Sequence, residues 1–366
     1  MDNRDMSTKM NTIKIDTGKI NTGRFFEDFT LGEVIQHPTP RTITDGDAAL
    51  YMGLTGARQI LFSAQTVAQS MGYKTKPIDD LLAFHIAFGK TVPDISVNAV
   101  ANLGYAEVQF LQPVFSGDTL KTHSTVIGLK QNSSGKNGVV YVRSVSVNQF
   151  QEPVFSWVRW VMVHKMNPDA PAPETVIPTL ASHVPVEKLQ VPAFLDARGF
   201  DTHHTGSPNL WEDYAVGERI NHPAGMTISD TDHTLATKLY QNNARLHFDD
   251  VMMKKSNFGR RLMYGGHVIS ICRALSYDGL ENTLGILAIN AGTHCNPSFG
   301  DDTIFSYTEV LGKWSLAHPN VGALRLRMVG IKNMPATEIE TFKTEQGYHP
   351  NVVLDLDYTV LIPKRG

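Results

Sequence analysis

Cys272 and Cys295 are the only cysteines in 366 residues, and they do not stand at a metal-ligating spacing. That excludes a disulfide-built scaffold and a zinc module, and it points to a reduced, cytoplasmic globular protein. Neither sign of charge is in excess. With 33 basic against 36 acidic residues the net charge is −3, so no nucleic-acid or membrane-surface partner is expected. No apolar run reaches the roughly 20 residues of a membrane-spanning helix. The first stretch, MDNRDMSTKMNTIKIDTGKINTGR, has no apolar signal core; residues 1–20 read as a loose, disordered tail. No constellation of metal ligands stands out, and no metal or cofactor is expected.

What the chain has is repetition. FEDFTLGEVIQHPTPRTITDGD, from Phe26, returns as WEDYAVGERINHPAGMTISDTD, from Trp211, at an offset of 185 residues with 11 of 22 positions identical. Matched pairs include Glu27/Glu212, Gly32/Gly217, His37/His222 and Asp47/Asp232. The length suits two domains of about 150 residues each. The expected division is a module over 21–165, a proline-rich linker over 166–209 and a second module over 210–366.

Each copy repeats one order of elements. A helix starts at Asp45, after a Thr44-x-x-Asp47 capping box in which aspartate replaces the usual glutamate. LLAFHIAFG (Leu81–Gly89) is apolar on nearly every side, as a helix buried against a sheet would be. Its counterpart is GGHVISICRALSY. Strands follow in both halves. In GVVYVRSVSVN, Val139, Tyr141, Val145 and Val147 share a face. In VVLDLDYTVLIP, Leu354, Leu356, Tyr358 and Val360 alternate with Asp355, Asp357 and Thr359; the apolar face packs and the acidic face meets solvent or a neighbour. The expected class is α+β, a tandem hot-dog in which each antiparallel sheet wraps a long central helix.

The copies then diverge. At the same offset Phe62 stands opposite His247, and Ala57 opposite Asn242. With a three-residue shift His85 matches His267, and Ala83-Phe84 replaces Gly265-Gly266. A single active site would therefore belong to the second copy. His85, His267, His37 and His222 recur in matched pairs and read as parts of the fold, and Asp47 and Asp232 as helix-start residues.

NNARLHFDDVMMKKSNFGRRLMYGGHVIS resembles the signature of the MaoC-like, R-specific enoyl-CoA hydratases. That signature runs Gly-Asp-x-Asn-Pro-(Ile/Leu)-His-x-Asp, then Phe-Gly-Arg, then a His-Gly that opens the central helix. The resemblance extends over roughly residues 20–364. It is nearest to members whose CoA-thioester substrate carries a second carboxylate. It implies reversible hydration of an enoyl thioester at a site where the two modules meet, the first supplying walls for the ligand and the second the proton-transfer groups. A general enoyl-CoA hydratase, an acyl-CoA thioesterase and a non-catalytic acyl-CoA binder are the alternatives. A homodimer of double modules is expected, because sheet edges remain to be covered.

Hydration needs a base for water, an acid for the α-carbon and donors for the enolate oxygen. His247 suits proton transfer, its ordinary pKa being near neutrality. The N–H of Gly265 suits the oxyanion, since Tyr264-Gly265-Gly266 opens a helix whose first N–H groups lack partners. The family's catalytic aspartate aligns with Asn242, and an amide holds water but does not take its proton. Two arrangements stay open: His247 with Asn242 as positioner, or a carboxylate outside the motif, such as Asp249 or Asp232. Arg245 replaces the motif's proline and is a candidate ligand for a carboxylate or CoA phosphate; Lys90 and Arg260 are weaker ones.

Overall fold

The computed structural model describes residues 17–365, so most of the expected tail lies outside the described residues. In the first half come β1 (Val34–Gln36), β2 (Arg41–Thr42), α1 (Asp45–Thr55), α2 (Ile60–Ser63), α3 (Gln65–Ser70), α4 (Asp80–Gly89) and α5 (Val92–Ile95). The long strands β3 (Ala99–Phe110), β4 (Thr119–Gln131), β5 (Asn137–Val147) and β6 (Pro153–His164) complete that half. Residues 166–209 hold only short 3₁₀ turns and one bridge, Val176 to Leu129. The second half repeats the order with β7 (Arg219–Asn221), β8 (Met226–Thr227), α6 (Asp230–Leu239), α7 (Asp250–Met253) and α8 (Gly265–Leu275). It ends with β9 (Ile286–His294), β10 (Thr303–Ser315), β11 (Val321–Lys332), a small hairpin β12 (Lys343–Thr344) and β13 (Gly347–Tyr348), and β14 (Val352–Pro363).

The strands form one antiparallel sheet in the order β1-β4-β5-β6-β3-β9-β14-β11-β10-β7, with β2 beside β4 and β8 beside β10. The halves join where β3 pairs with β9. In that ladder Ala106 lies opposite Ala291, and on the buried helices the His85 ring is 3.1 Å from the Ser270 hydroxyl. Both pairs differ by 185 in number, so each of these residues meets its own copy. A pseudo-two-fold axis therefore passes through the β3–β9 seam and between α4 and α8.

Local chemistry sets each helix. Thr44 and Asp47 close a capping box on α1, as Ser229 and Asp232 do on α6. The matched histidines strap loops to the sheet: His37 bridges Asp94 and Ser124, and His222 bridges the Asp278 carbonyl and Thr308. Residues 81–89 of α4 are all buried, so no amphipathic stripe is needed. Because α4 is capped by Asp79 and α8 by Tyr264, the 185-residue register continues into the central helices. That corrects the three-residue shift. Asp80 is the counterpart of Gly265, and His85 that of Ser270.

On β14 Leu354, Leu356, Tyr358 and Val360 are buried, and the acidic face meets neighbours rather than solvent: Asp357 pairs with Arg325 at 2.6 Å and Asp355 with Arg327 at 3.3 Å, and Asp357 and Thr359 are buried as well. On β5 the fully covered face is the other one. Val140, Val142, Ser144 and Ser146 point inward, and the serines meet Ser124 and Thr122 of β4 in hydroxyl pairs. Tyr141, Val145 and Val147 are only half-buried. Hydrogen-bonded hydroxyls are tolerated in a core, so polarity alone did not identify the outer face.

Gly89, at the end of α4, lies so close to the other half that a Cβ there would stand 2.1 Å from the Tyr240 carbonyl oxygen and 3.3 Å from the Asn242 nitrogen. The Lys90 ammonium donates to Gln241 in the same loop, and Arg41 donates to the Leu239 carbonyl. The first half thus seats the loop that carries Asn242. Gly89→Ala should destabilise the protein by about 1–3 kcal/mol and lower turnover with it; an unchanged melting temperature and unchanged kcat would contradict this packing.

Candidate active site

A cleft of about 1130 Å³, its open mouth included, lies between the halves. Phe88, Asn102, Tyr105 and Arg159 come from the first half; Asn242, His247, Tyr264, Gly265 and His294 come from the second. Half-exposed Val100 and Phe258 also border it. Among the described residues no aspartate or glutamate lines it.

His247 sits on a 3₁₀ turn, Arg245–His247. Its Nδ1–H donates to the Leu262 carbonyl at 3.0 Å, and the Leu262 N–H returns a bond to Leu246 at 3.1 Å. That fixes the tautomer: Nδ1 carries the proton, and Nε2 has no partner among the described residues and presents a lone pair at the cleft wall. Burial pushes the imidazole down to about 4, so it is neutral at pH 7. Asn242 uses its side-chain oxygen to accept from the Ala244 N–H at 3.0 Å. Its amide NH₂ makes no bond to the described residues.

Tyr264 caps α8 without a side-chain hydrogen bond, so the Gly265 N–H is one of the unpaired donors of a first helical turn. The glycine is demanded by packing. A Cβ on Gly265 would stand 2.4 Å from the His294 ring, and one on Gly266 would stand 2.5 Å from the ring of Tyr264. His294 lies 3.1 Å from the Tyr105 hydroxyl, and burial holds it near 4.

The cleft therefore gathers His247, Asn242, Tyr264 and Gly265. Gly266 packs beneath Tyr264 and off the cleft wall. Arg245 is exposed and absent from the wall, which removes it as a ligand inside the cleft. Asp249 caps α7 through the Met252 N–H, and Asp232 closes the Ser229 box; neither reaches the cleft. Lys90 is tied to Gln241, and Arg260 to the Gly300 carbonyl and Asp301. His85 and His267 are buried in the core, both held near 3 by burial. Sequence reasoning passed over Arg159, Asn102, Tyr105 and His294. Arg159 had a signal, being the one charge in the apolar strand VFSWVRWVMV; His294, ending a strand, had none.

The equivalent place in the first half carries different groups. Phe62 and Asp80 line a separate, mostly apolar pocket with Tyr73 and Ile78. The Asp80 carboxylate accepts from the Ile286 N–H at 2.5 Å, and burial with the neighbouring Asp79 pushes its carboxyl up to about 8.

A family model described as mesaconyl-CoA hydratase matches residues 3–177. Over 351 residues the chain is 54% identical to a β-methylmalyl-CoA dehydratase of Chloroflexus aurantiacus, covering 96% of this chain and 100% of that one. The chain belongs to the mesaconyl-CoA hydratase family. A mesaconyl-CoA hydratase of Cereibacter sphaeroides, also of this family, is 52% identical over 347 residues, covering 94% of this chain and all of its own length. A solved MaoC domain protein from Chloroflexus aurantiacus superposes with a TM-score of 0.93 at 54% identity, over 95% of this chain and 99% of that one. A Mycobacterium tuberculosis protein, Rv0216, described as a double hotdog, superposes at 0.73 with 22% identity over 93% of this chain and 98% of its own, which speaks for the fold. This family member is a double hot-dog, as its sequence led us to expect.

If neutral His247 is the group that must accept a proton, kcat/KM should stay level from pH 8 down to about 5 and fall only as pH drops toward 4. A break near 6.5, the ordinary histidine value, would contradict the buried tautomer.

Proposed function

We propose that the chain adds water reversibly across the double bond of a CoA enoyl thioester, converting mesaconyl-CoA to β-methylmalyl-CoA. The observation that carries this reading is the neutral His247, its Nε2 free at the wall of a cleft that also holds the unpaired Gly265 N–H and no carboxylate. Of the two arrangements left open by the sequence, the geometry favours His247 as base with Asn242 as positioner.

The water lies between Nε2, which takes its proton, and the Asn242 NH₂, which donates to its oxygen. The hydroxyl bonds to the β-carbon, and the π electrons move toward the thioester. The enolate oxygen that forms meets the Gly265 N–H. The imidazolium then gives its proton to the α-carbon, and His247 returns to neutral. Dehydration is the same path reversed. A positioned base contributes roughly 10²–10⁴-fold, and one oxyanion donor about 10²–10³-fold. One residue serving as base and then acid delivers hydroxyl and proton to the same face.

The module limits 21–165 and 210–366, with 166–209 as linker, belong to this proposal. So does a homodimer, since β1 and β7 end the sheet with unpaired edges. Among the described residues no helix is long and apolar enough to cross a membrane. Cys272 and Cys295 are free thiols, which fits a cytoplasmic setting.

The test is a paired assay of the purified protein with mesaconyl-CoA and crotonyl-CoA, following enoyl-thioester absorbance and free thiol together. Absorbance loss with mesaconyl-CoA and no thiol is expected, with His247→Ala slower by at least about 10²-fold. Turnover of crotonyl-CoA alone would make this a general hydratase, thiol release a thioesterase, and silence in both channels a binding protein.

A further inference from the structure

Arg159 poses a problem that the proton chemistry does not use. Its side chain is 1% exposed on β6, yet it forms no ion pair with any described carboxylate. Its hydrogen bonds go to hydroxyls: Nη2 to Thr91 at 2.8 Å, and Nη1 and Nη2 to Ser96 at 3.4 Å. Its Nε is buried without a partner, and the guanidinium carbon lies 4.4 Å from the centre of the Phe88 ring. Burial pulls it down only to about 10, so it remains a cation at pH 7. A buried cation with no counter-charge is costly, and such a group persists where something completes it.

What completes it is within reach of the cleft. Arg159 and Asn102 both line it, and the amide nitrogen and oxygen of Asn102 are likewise buried without partners. Across the β3–β6 ladder Arg159 pairs with Tyr105. Tyr105 meets His294, and the His294 ring covers Gly265. The unpaired guanidinium thus lies along the same wall as the oxyanion donor, separated from it by two aromatic side chains.

We propose that Arg159, with the Asn102 amide, binds the second carboxylate of a dicarboxylic thioester substrate and so selects it over uncharged enoyl thioesters. This rests on the hydration reading above. In mesaconyl-CoA that carboxylate sits on the β-carbon, which receives the hydroxyl. Pairing it with a guanidinium places that carbon against the water held by His247 and neutralises the charge beside the attacking oxygen. CoA phosphates do not answer to the same description, since Arg159 is among the most buried of the cleft's side chains and they carry their charge far from the acyl group.

The test compares mesaconyl-CoA with 2-methylcrotonyl-CoA, in which a methyl replaces the second carboxylate. Dissociation constants are measured by calorimetry in a His247→Ala background, so that turnover does not interfere. Arg159→Met should weaken mesaconyl-CoA by about 10²-fold and 2-methylcrotonyl-CoA by less than about threefold. Arg159→Lys, which keeps the charge and loses the fork, should fall between. Equal weakening of both thioesters, or of neither, would overturn the assignment. If Arg159→Met does not fold, Asn102→Leu carries the test, with about tenfold weakening of the charged ligand alone expected; indifference to the charge would again overturn it. The two proposals fail separately. An otherwise unmodified protein that hydrates no mesaconyl-CoA defeats the hydration reading, whereas one that hydrates it but binds both thioesters equally with and without Arg159 defeats only this one.

Discussion

The pairing of β3 with β9 is the constraint on which the rest of the structure depends. It fuses two copies of one module into a continuous sheet and fixes α4 against α8 around a shared axis. Once Ala106 faces Ala291, other placements follow. Gly89 comes under the Tyr240–Asn242 segment, and Tyr105 comes beside His294, which in turn roofs Gly265. A cleft with walls from both halves results from that seam. It explains why neither copy alone could supply the same set of side chains.

The two halves are equivalent in fold and unlike in chemistry, and the difference is concentrated at the starts of the two buried helices. In the second half the first turn offers an unpaired N–H, with the neutral imidazole of His247 on the same cleft wall. In the first half the corresponding residue is Asp80, whose side chain accepts from the Ile286 N–H of β9, and Phe62 stands at the position that His247 holds in the second half. A carboxyl in place of glycine, and an aromatic ring in place of histidine, set that pocket apart from the cleft of the second half. The first half brings to the cleft the packing of Gly89 beneath the Asn242 loop and the guanidinium of Arg159.

Much of this was legible in the sequence, for physical reasons. The repeat, the capping box of Thr44/Asp47, the helix start at Asp232 and the buried α4 are local patterns, and local patterns survive without coordinates. His247 and Gly265 stood out because a signature of fixed spacing places them. What stayed hidden was non-local. The register of α4 against α8 turns on which residue caps each helix, and the gapped alignment of His85 with His267 chose the wrong one. The inner face of β5 carries serines that pair with another strand, which alternation alone does not show. Arg245 drew notice as a cation in the motif, but it faces outward. The cation that does reach the cleft, Arg159, sits on a distant strand, and only the fold brings it to the same cleft as Asn242.

The central claim is that the chain holds one working site, built across its seam. Titration of a non-hydrolysable, saturated acyl-CoA thioether analogue by isothermal calorimetry tests it most directly, because the stoichiometry counts sites without requiring turnover. One molecule bound tightly per chain, lost when residues of the seam cleft such as His247 and Asn242 are replaced by larger apolar ones, is the predicted result. Two equivalent molecules per chain, the second unaffected by those changes, would contradict it.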